Sequence, residues 1–317
     1  MRARTPVSIV IPCYNRATLI GDAINSALAY GEGAEIIVVD DGSIDASWEC
    51  ILSFGDKVRG FRIANGGVAA ARNFGVAQAQ GSFIKFLDSD DRLVEGGLAA
   101  LLAEQQVAAP HRILFGDARA IGPDGEAIAP CGYGYADVAP PGPISRATLL
   151  KQIMSPLLPL YPTQALHRVG GFDPEYILGE DQELAVRLTL AGYEFYRVPV
   201  VVAEIREHSG GRLSRTITPA HFERQAAFFA SIAHHLSSAG PPLDPNEALA
   251  LATMIWIDAR NAARARYRPQ AARLFAMATE LVGPVAAAPA VLRPLYRWID
   301  PYWVEHMIEW LKAVSRR

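Results

Sequence analysis

The chain has 317 residues, half of them hydrophobic, and a formal net charge of −3. That is enough apolar material for one large domain with an appendage, or for two domains, and it supplies no basic field of the kind that holds nucleic acid. Three scattered cysteines, Cys13, Cys50 and Cys131, show no CxxC spacing, which speaks against a disulfide framework or zinc site and for a reducing compartment. No signal peptide is visible and no apolar run reaches transmembrane length. The expected protein is soluble and cytoplasmic, or at most attached to the inner face of a membrane.

Val7-Ser8-Ile9-Val10-Ile11 is β-branched and continuous enough for a strand buried on both faces. It ends at Pro12-Cys13-Tyr14-Asn15, and helical spacing follows over residues 17–30. A second strand, 35–39, runs into Asp40-Asp41-Gly42-Ser43, with Ser43 or Asp45 as the N-cap of a helix over 46–52. A third strand, 58–63, leads to Asn65-Gly66-Gly67 and an Ala-rich helix over 68–79. The Gly pair could bring backbone N–H groups near a phosphate. The strand 83–87 then ends in Asp88-Ser89-Asp90-Asp91, whose last acid is expected to cap the following helix.

Strands alternating with helices predict a mainly parallel, doubly wound sheet, whose ligands bind at the strands' C-terminal ends near a switch in strand order. Four such ends carry polar or acidic residues, so they predict one ligand site rather than a set of solvated turns. Three acids within four residues repel one another unless a cation or donor intervenes, and hard oxygen ligands suit Mg2+ or Mn2+. A G-x-G-x-x-G fingerprint and a Walker phosphate loop are both absent, which excludes the usual signatures of a nicotinamide dehydrogenase and a P-loop ATPase.

Farther on, 97–108 reads as a helix, 113–115 as a strand and Pro123-Asp124-Gly125 as a hairpin turn. Residues 129–143 form a Gly/Pro/Tyr-rich loop whose Tyr133 and Tyr135 could stack on a sugar or base, or pack against the sheet. Residues 162–169 read as extended, and 180–191 as a helix with Glu180 and Asp181 in its first turn. There the acids either complement the helix dipole or include a general base kept ionised by it. A strand over 198–205 leads to Arg206 and to His208, which could be a metal ligand, a phosphate contact or a surface residue. Arg206, Arg212 and Arg215 would suit a diphosphate. From Thr218 onward β patterning gives way to amphipathic helices, ending in a Trp- and Tyr-rich segment, 294–314. Its aromatics suit packing or an interface, and Trp beside Lys and Arg is also a membrane-surface pattern.

Five stretches together resemble the motifs of family 2 glycosyltransferases, which have the GT-A fold. They are Val7–Asn15, Ile36–Ser43, Asn65–Asn73, Phe86–Asp91 with its DxD pattern, and Gly170-Gly171-Phe172-Asp173 followed by Gly179-Glu180-Asp181. The resemblance spans residues 5 to 215 or so and leaves 217–317 as a helical C-terminal region with a packing, acceptor or assembly role. It implies a Rossmann-like, mixed, mainly parallel sheet flanked by helices over 1–216.

The resemblance also implies roles. Pro12, Tyr14 and Asn15 would line the nucleotide pocket, with Tyr14 near the base. Asp40 would accept from the base, Asp41 would lie beside it, and Gly67, Arg72, Asp88 and Ser89 would face the donor. Asp90 and His208 would bind Mn2+ or Mg2+. Asp181 would be the general base, with Glu180 the alternative. The implied enzyme is inverting and metal-dependent. It moves a sugar from a nucleotide diphosphate, a UDP-sugar first, to a growing saccharide, a lipid-linked glycan or a protein glycan. A homo-oligomer and peripheral membrane contact are both compatible with it.

Two rivals remain. A sugar nucleotidyltransferase would carry a Gly-rich signature where this chain has Pro12-Cys13-Tyr14-Asn15. A non-catalytic binding or scaffold protein would be expected to have lost at least one of Asp88, Asp90, Asp181 and His208.

Overall fold

The structure, a computed structural model, describes residues 6–31, 33–128, 135, 137–152, 154–207, 218–238 and 243–315. The chain divides into two compact units, one of residues 1–145 and 153–209, the other of residues 146–152 and 210–317.

The first unit opens with β1 (Val7–Cys13), α1 (Ile20–Leu28), β2 (Ala34–Asp40), α2 (Ser47–Leu52), β3 (Arg59–Arg62), α3 (Val68–Gln78) and β4 (Phe83–Phe86). Next come β5 (Arg92–Leu93), α4 (Gly97–Val107), β6 (Arg112–Ile121), β7 (Ala127–Ile128) and β8 (Gly142–Pro143). The helix α5 (Arg146–Lys151) belongs to the second unit; the chain then returns with β9 (Pro159–Pro162), α6 (Thr163–Val169), α7 (Glu180–Leu190) and β10 (Glu194–Arg206).

The sheet runs β3-β2-β1-β4-β9-β6-β10-β5. β1 pairs in parallel with β2 on one side and β4 on the other, β2 with β3, and β6 with β10. β9 runs antiparallel between β4 and β6. The strand order reverses at β1, so the carboxyl ends of β1, β2 and β4 flank the crevice where α/β sheets bind ligands. Every residue of β1 is buried, as expected for a central strand covered on both faces. Helix α3 lies so close to it that a Cβ on Gly75 would stand 2.3 Å from Val10 Cγ1. Gly75→Ala is expected to cost about 1–3 kcal/mol through overpacking, seen as a lower urea midpoint with an unchanged slope.

One expectation is corrected here, and one open alternative is decided. Residues 163–169 are helix α6 rather than extended chain. Ala165 and Leu166 are buried, and Gly170 ends the helix in the left-handed conformation that glycine adopts most cheaply. Tyr135 is fully buried, edge-on to Phe115 at a 5.0 Å ring separation, so it packs in the core instead of stacking on a ligand. Tyr133 lies outside the described residues.

The second unit comprises α5, α8 (Pro219–Ser238), α9 (Pro245–Arg264), α10 (Arg268–Val282), α11 (Arg293–Trp298) and α12 (Pro301–Ser315). Asp244 and Glu247 form a capping box at the start of α9, which sets that helix's entry point. Trp256 of α9 meets Phe275 of α10 and Tyr296 of α11 edge-on. Glu305 of α12 is fully buried against Arg260, Arg264 and the Tyr296 hydroxyl. A buried carboxylate is tolerable only when paired and hydrogen-bonded in this way.

Candidate active site

The site is assembled from loops that follow four strands. After β1, Asn15 adopts φ +52°, a left-handed conformation that Asn tolerates better than most residues. Its N–H donates to Ser43 Oγ at 2.9 Å and its Oδ1 accepts from Ile44 N at 2.9 Å. Asn15 thus ties the β1 loop to the β2 loop. Pro12 is buried within β1, and Tyr14 is 45% exposed at the rim.

Asp40 ends β2 and is fully buried. Its Oδ1 accepts from Ser43 N at 3.2 Å. Oδ2 lies 3.1 Å from Arg62 Nε but has no well-directed hydrogen bond, so it is a buried acceptor with capacity left for a donor. Asp41 accepts from the N–H groups of Gly66 and Gly67, both at 2.8 Å. The Gly67 N–H is therefore committed to Asp41 and is not turned to a phosphate. Burial raises the Asp41 pKa; the two N–H bonds oppose that shift and Asp40 adds to it.

The acidic turn after β4 divides into distinct parts. Asp88 Oδ1 accepts from Arg72 at 2.8 Å, and Ser89 is buried beside it. Asp90 Oδ2 is 3.3 Å from Arg16 Nε. Asp91 was expected to cap the following helix, but α4 starts at Gly97 with Gly96 as its cap. Asp91 Oδ1 instead accepts from Arg206 N at 2.8 Å. The buried Arg206 guanidinium also reaches Asp90 O, Pro123 O and Asp22. Arg206 thereby bolts the acidic turn to β10 and is not free for a diphosphate.

Arg72 joins this turn to α7. It is 4% exposed, sits 5.2 Å over the Phe172 ring, and pairs with Glu180 Oε1 at 2.9 Å. Burial opposes its charge, but Asp88 and Glu180 outweigh that and hold the guanidinium protonated. The segment before α7 is itself clamped. Asn73 exchanges two hydrogen bonds with the Phe172 backbone, at 2.7 and 2.8 Å, and a Cβ on Gly171 (φ +72°) would strike the Asn73 side chain. Asp181 follows Glu180 at the start of α7. Burial, with Glu180 adding to it, pushes the Asp181 pKa up to about 7, against the opposing pull of Gln182 N–H and Arg72. Burial also raises the hydroxyl pKa values of Tyr135 and Tyr161, and Asp181 raises both further.

Sequence reasoning missed Arg16, Asn73 and Lys85. The last is fully buried in β4, donates to Leu157 O and Leu158 O, and is held down to about 7 by burial. A lysine inside an otherwise apolar strand was the signal. Cys13 is no nucleophile: burial pushes its thiol up to about 12. His208 lies outside the described residues. Among the described residues, no group of three or more His, Cys, Asp or Glu side chains is gathered for a metal. The carboxylate of Asp90 is a hard oxygen donor of the kind that suits Mg2+ or Mn2+, which bind through one or two carboxylates plus substrate phosphates.

Residues 8–127 match the family model described as glycosyl transferase family 2. An uncharacterized glycosyltransferase of Rickettsia conorii is 48% identical over 90 residues, 27% of this chain and 15% of that protein. The chondroitin synthase of Pasteurella multocida is 30% identical over 190 residues, 59% of this chain and 19% of that protein. The chain thus spans less than a fifth of the length of these two relatives. Among solved structures, S. aureus TarS 1–349 in complex with UDP-GlcNAc superposes with a TM-score of 0.69 at 20% identity, covering 94% of this chain and 87% of that one. The mannosyltransferase PcManGT from Pyrobaculum calidifontis, in complex with GDP-Man and Mn2+, gives 0.58 at 21% identity, covering 99% and 87%. The segment that builds the loops after β1, β2, β3 and β4 is a match to glycosyl transferase family 2, and the fold that carries it is GT-A.

Proposed function

We propose that the chain is an inverting, metal-dependent glycosyltransferase that takes a nucleotide-diphosphate sugar, a UDP-sugar first, and transfers the sugar to a hydroxyl of a saccharide, lipid-linked glycan or protein glycan. The observation that carries the reading is Arg72. It binds Asp88, 16 residues farther along the chain, and Glu180, 108 residues farther along. The turn after β4 and the first turn of α7 are thereby tied together, which supports reading them as the donor side and the base side of one site.

Exposed Tyr14 offers a ring face to the base, and the spare acceptor of Asp40 suits an imide N–H such as that of uracil. Asp88 and Ser89 face the donor sugar and ribose. Asp90, with His208, would hold a divalent cation, which when bound would supply positive charge beside the diphosphate leaving group. Asp90 would exchange its Arg16 partner for that cation. Asp181 takes the proton from the acceptor hydroxyl. Its raised pKa suits that role, since a base matched to working pH accepts a proton readily. Glu180 is the poorer base because its carboxylate is already neutralised by Arg72. One carboxylate base activating the acceptor hydroxyl for in-line attack inverts the anomeric carbon, and no second carboxylate nucleophile is needed.

The test is a panel of nucleotide sugars with Mn2+, read by thermal shift and by transfer. The cognate donor at a hundredfold over its Kd is expected to stabilise the fold by about 2.7 kcal/mol. EDTA should abolish transfer and added Mn2+ restore it, while Asp90→Asn should lose the response to Mn2+. Failure of every nucleotide sugar to bind with Mn2+ present would sink the reading.

A further inference from the structure

Several large apolar side chains of the helical unit are exposed. Trp298 is 84% exposed at the end of α11, and Trp303 and Trp310 of α12 are 55% and 65% exposed. Met307, Leu311 and Val314 are exposed as well. On a 3.6-residue helix, positions 303, 307, 310, 311 and 314 fall on one face. The other side of α12 is engaged within its own unit through buried Val304 and Glu305. The exposed face is therefore an unpartnered stripe of rings and aliphatic chains.

Its charge decides what covers it. Arg268 is exposed and lies 5.6 and 5.7 Å over the rings of Tyr302 and Trp303, so a cation sits at the edge of the stripe. Arg297 is exposed beside Trp298, and Lys312 lies on the last turn. Among the described residues 293–315, Arg293, Arg297 and Lys312 stand against Asp300, Glu305 and Glu309, with Lys312 2.9 Å from Glu309, and Arg268 adds a fourth cation. One of those three acids, Glu305, is buried and already paired with two arginines. A face with excess cations repels a second copy of itself, whereas it complements anionic headgroups. Tryptophan prefers the headgroup boundary, where its ring is buried and its N–H stays wet. Among the described residues no helix is long and apolar enough to cross a membrane, so the contact would lie in the plane of the surface.

We propose that α12 and Trp298 form a docking element for an anionic lipid bilayer, with the Trp stripe entering the headgroup boundary and Arg268, Arg297 and Lys312 meeting lipid phosphates. This does not depend on the catalytic reading. The test is co-sedimentation of the full chain with vesicles of phosphatidylcholine containing phosphatidylglycerol, alongside pure phosphatidylcholine, with the tryptophan emission maximum and the oligomeric state recorded. Binding to the anionic vesicles with a blue shift is expected. It should weaken at least about tenfold in the Trp303→Ser/Trp310→Ser variant, and about fivefold for each cation neutralised. Trp298→Ser, altered outside α12, should also weaken binding, which covers the case in which the double variant fails to fold. Three results would each overturn the proposal: no binding to anionic vesicles, equal binding by folded variants, or a wild-type oligomer that ignores vesicles and dissociates in the variants.

Discussion

Asp181→Asn is expected to lower kcat about 10²–10⁴-fold, the usual contribution of a positioned general base, while leaving nucleotide-sugar binding intact. Single-turnover transfer and donor titration separate the two. The pH profile gives a second readout. Ionised Asp181 is the form that accepts the acceptor proton, and burial with help from Glu180 pushes its pKa up to about 7. Wild-type activity should therefore rise with pH through that region and level off above it. The same shift has a consequence for stability. A carboxyl whose folded pKa lies above its unfolded value favours the folded state at low pH, and that contribution is lost as pH rises through the folded pKa. Asp181→Asn removes this penalty, so the variant should be more stable than wild type at pH 8 and little changed at pH 4, by urea denaturation. Activity falling while stability rises is the pattern of a residue kept for chemistry. Full transfer by the variant on a true acceptor would remove Asp181 from the base role.

Much of this was legible in the residues because the signals are local. The β-branched runs of β1 and β2 need only their own side chains to declare buried strands, and Asp40, Asp41, Asp88 and Asp90 stand where parallel strands end. Legibility stopped at pairings that depend on strand order. No local pattern says that β4 lies between β1 and β9, and this order helps bring Arg72 and Asp88 toward Glu180. The partner of Asp91 was misread for the same reason: a helix cap is a neighbour in sequence, whereas Arg206 N is 115 residues away. Helix α6 was read as extended because its seven residues are too short to show a period, and its left-handed Gly170 stop shows only in the backbone. Tyr135 could not be placed from sequence, since an aromatic in a Gly/Pro-rich loop suits a ligand platform and a core plug equally well.

Arg72→Met is expected to cost about 3–5 kcal/mol, the scale for removing one partner of a buried ion pair. The guanidinium is nearly fully buried and is shared between two carboxylates on different elements, so its loss leaves Asp88, Glu180 and the adjacent Asp181 repelling one another in a poorly solvated place. Arg72→Lys should recover only part of the stability, because one ammonium cannot reproduce a planar fork with donors aimed at two separate acceptors. The sign of the pH effect follows. Without the cation, the neighbouring carboxylates repel one another when ionised, and protonation relieves that repulsion. The loss in Arg72→Met should thus be largest near pH 8 and shrink toward pH 4, whereas a simple packing defect would give a loss that does not change with pH. Adding Asp88→Asn and Glu180→Gln to Arg72→Met should restore part of the lost stability without restoring transfer, because the donor-side turn and α7 would no longer be tied by charge. A loss independent of pH, or no rescue by the neutral partners, would mean that Arg72 acts through its packing on Phe172 instead of through the carboxylates it joins.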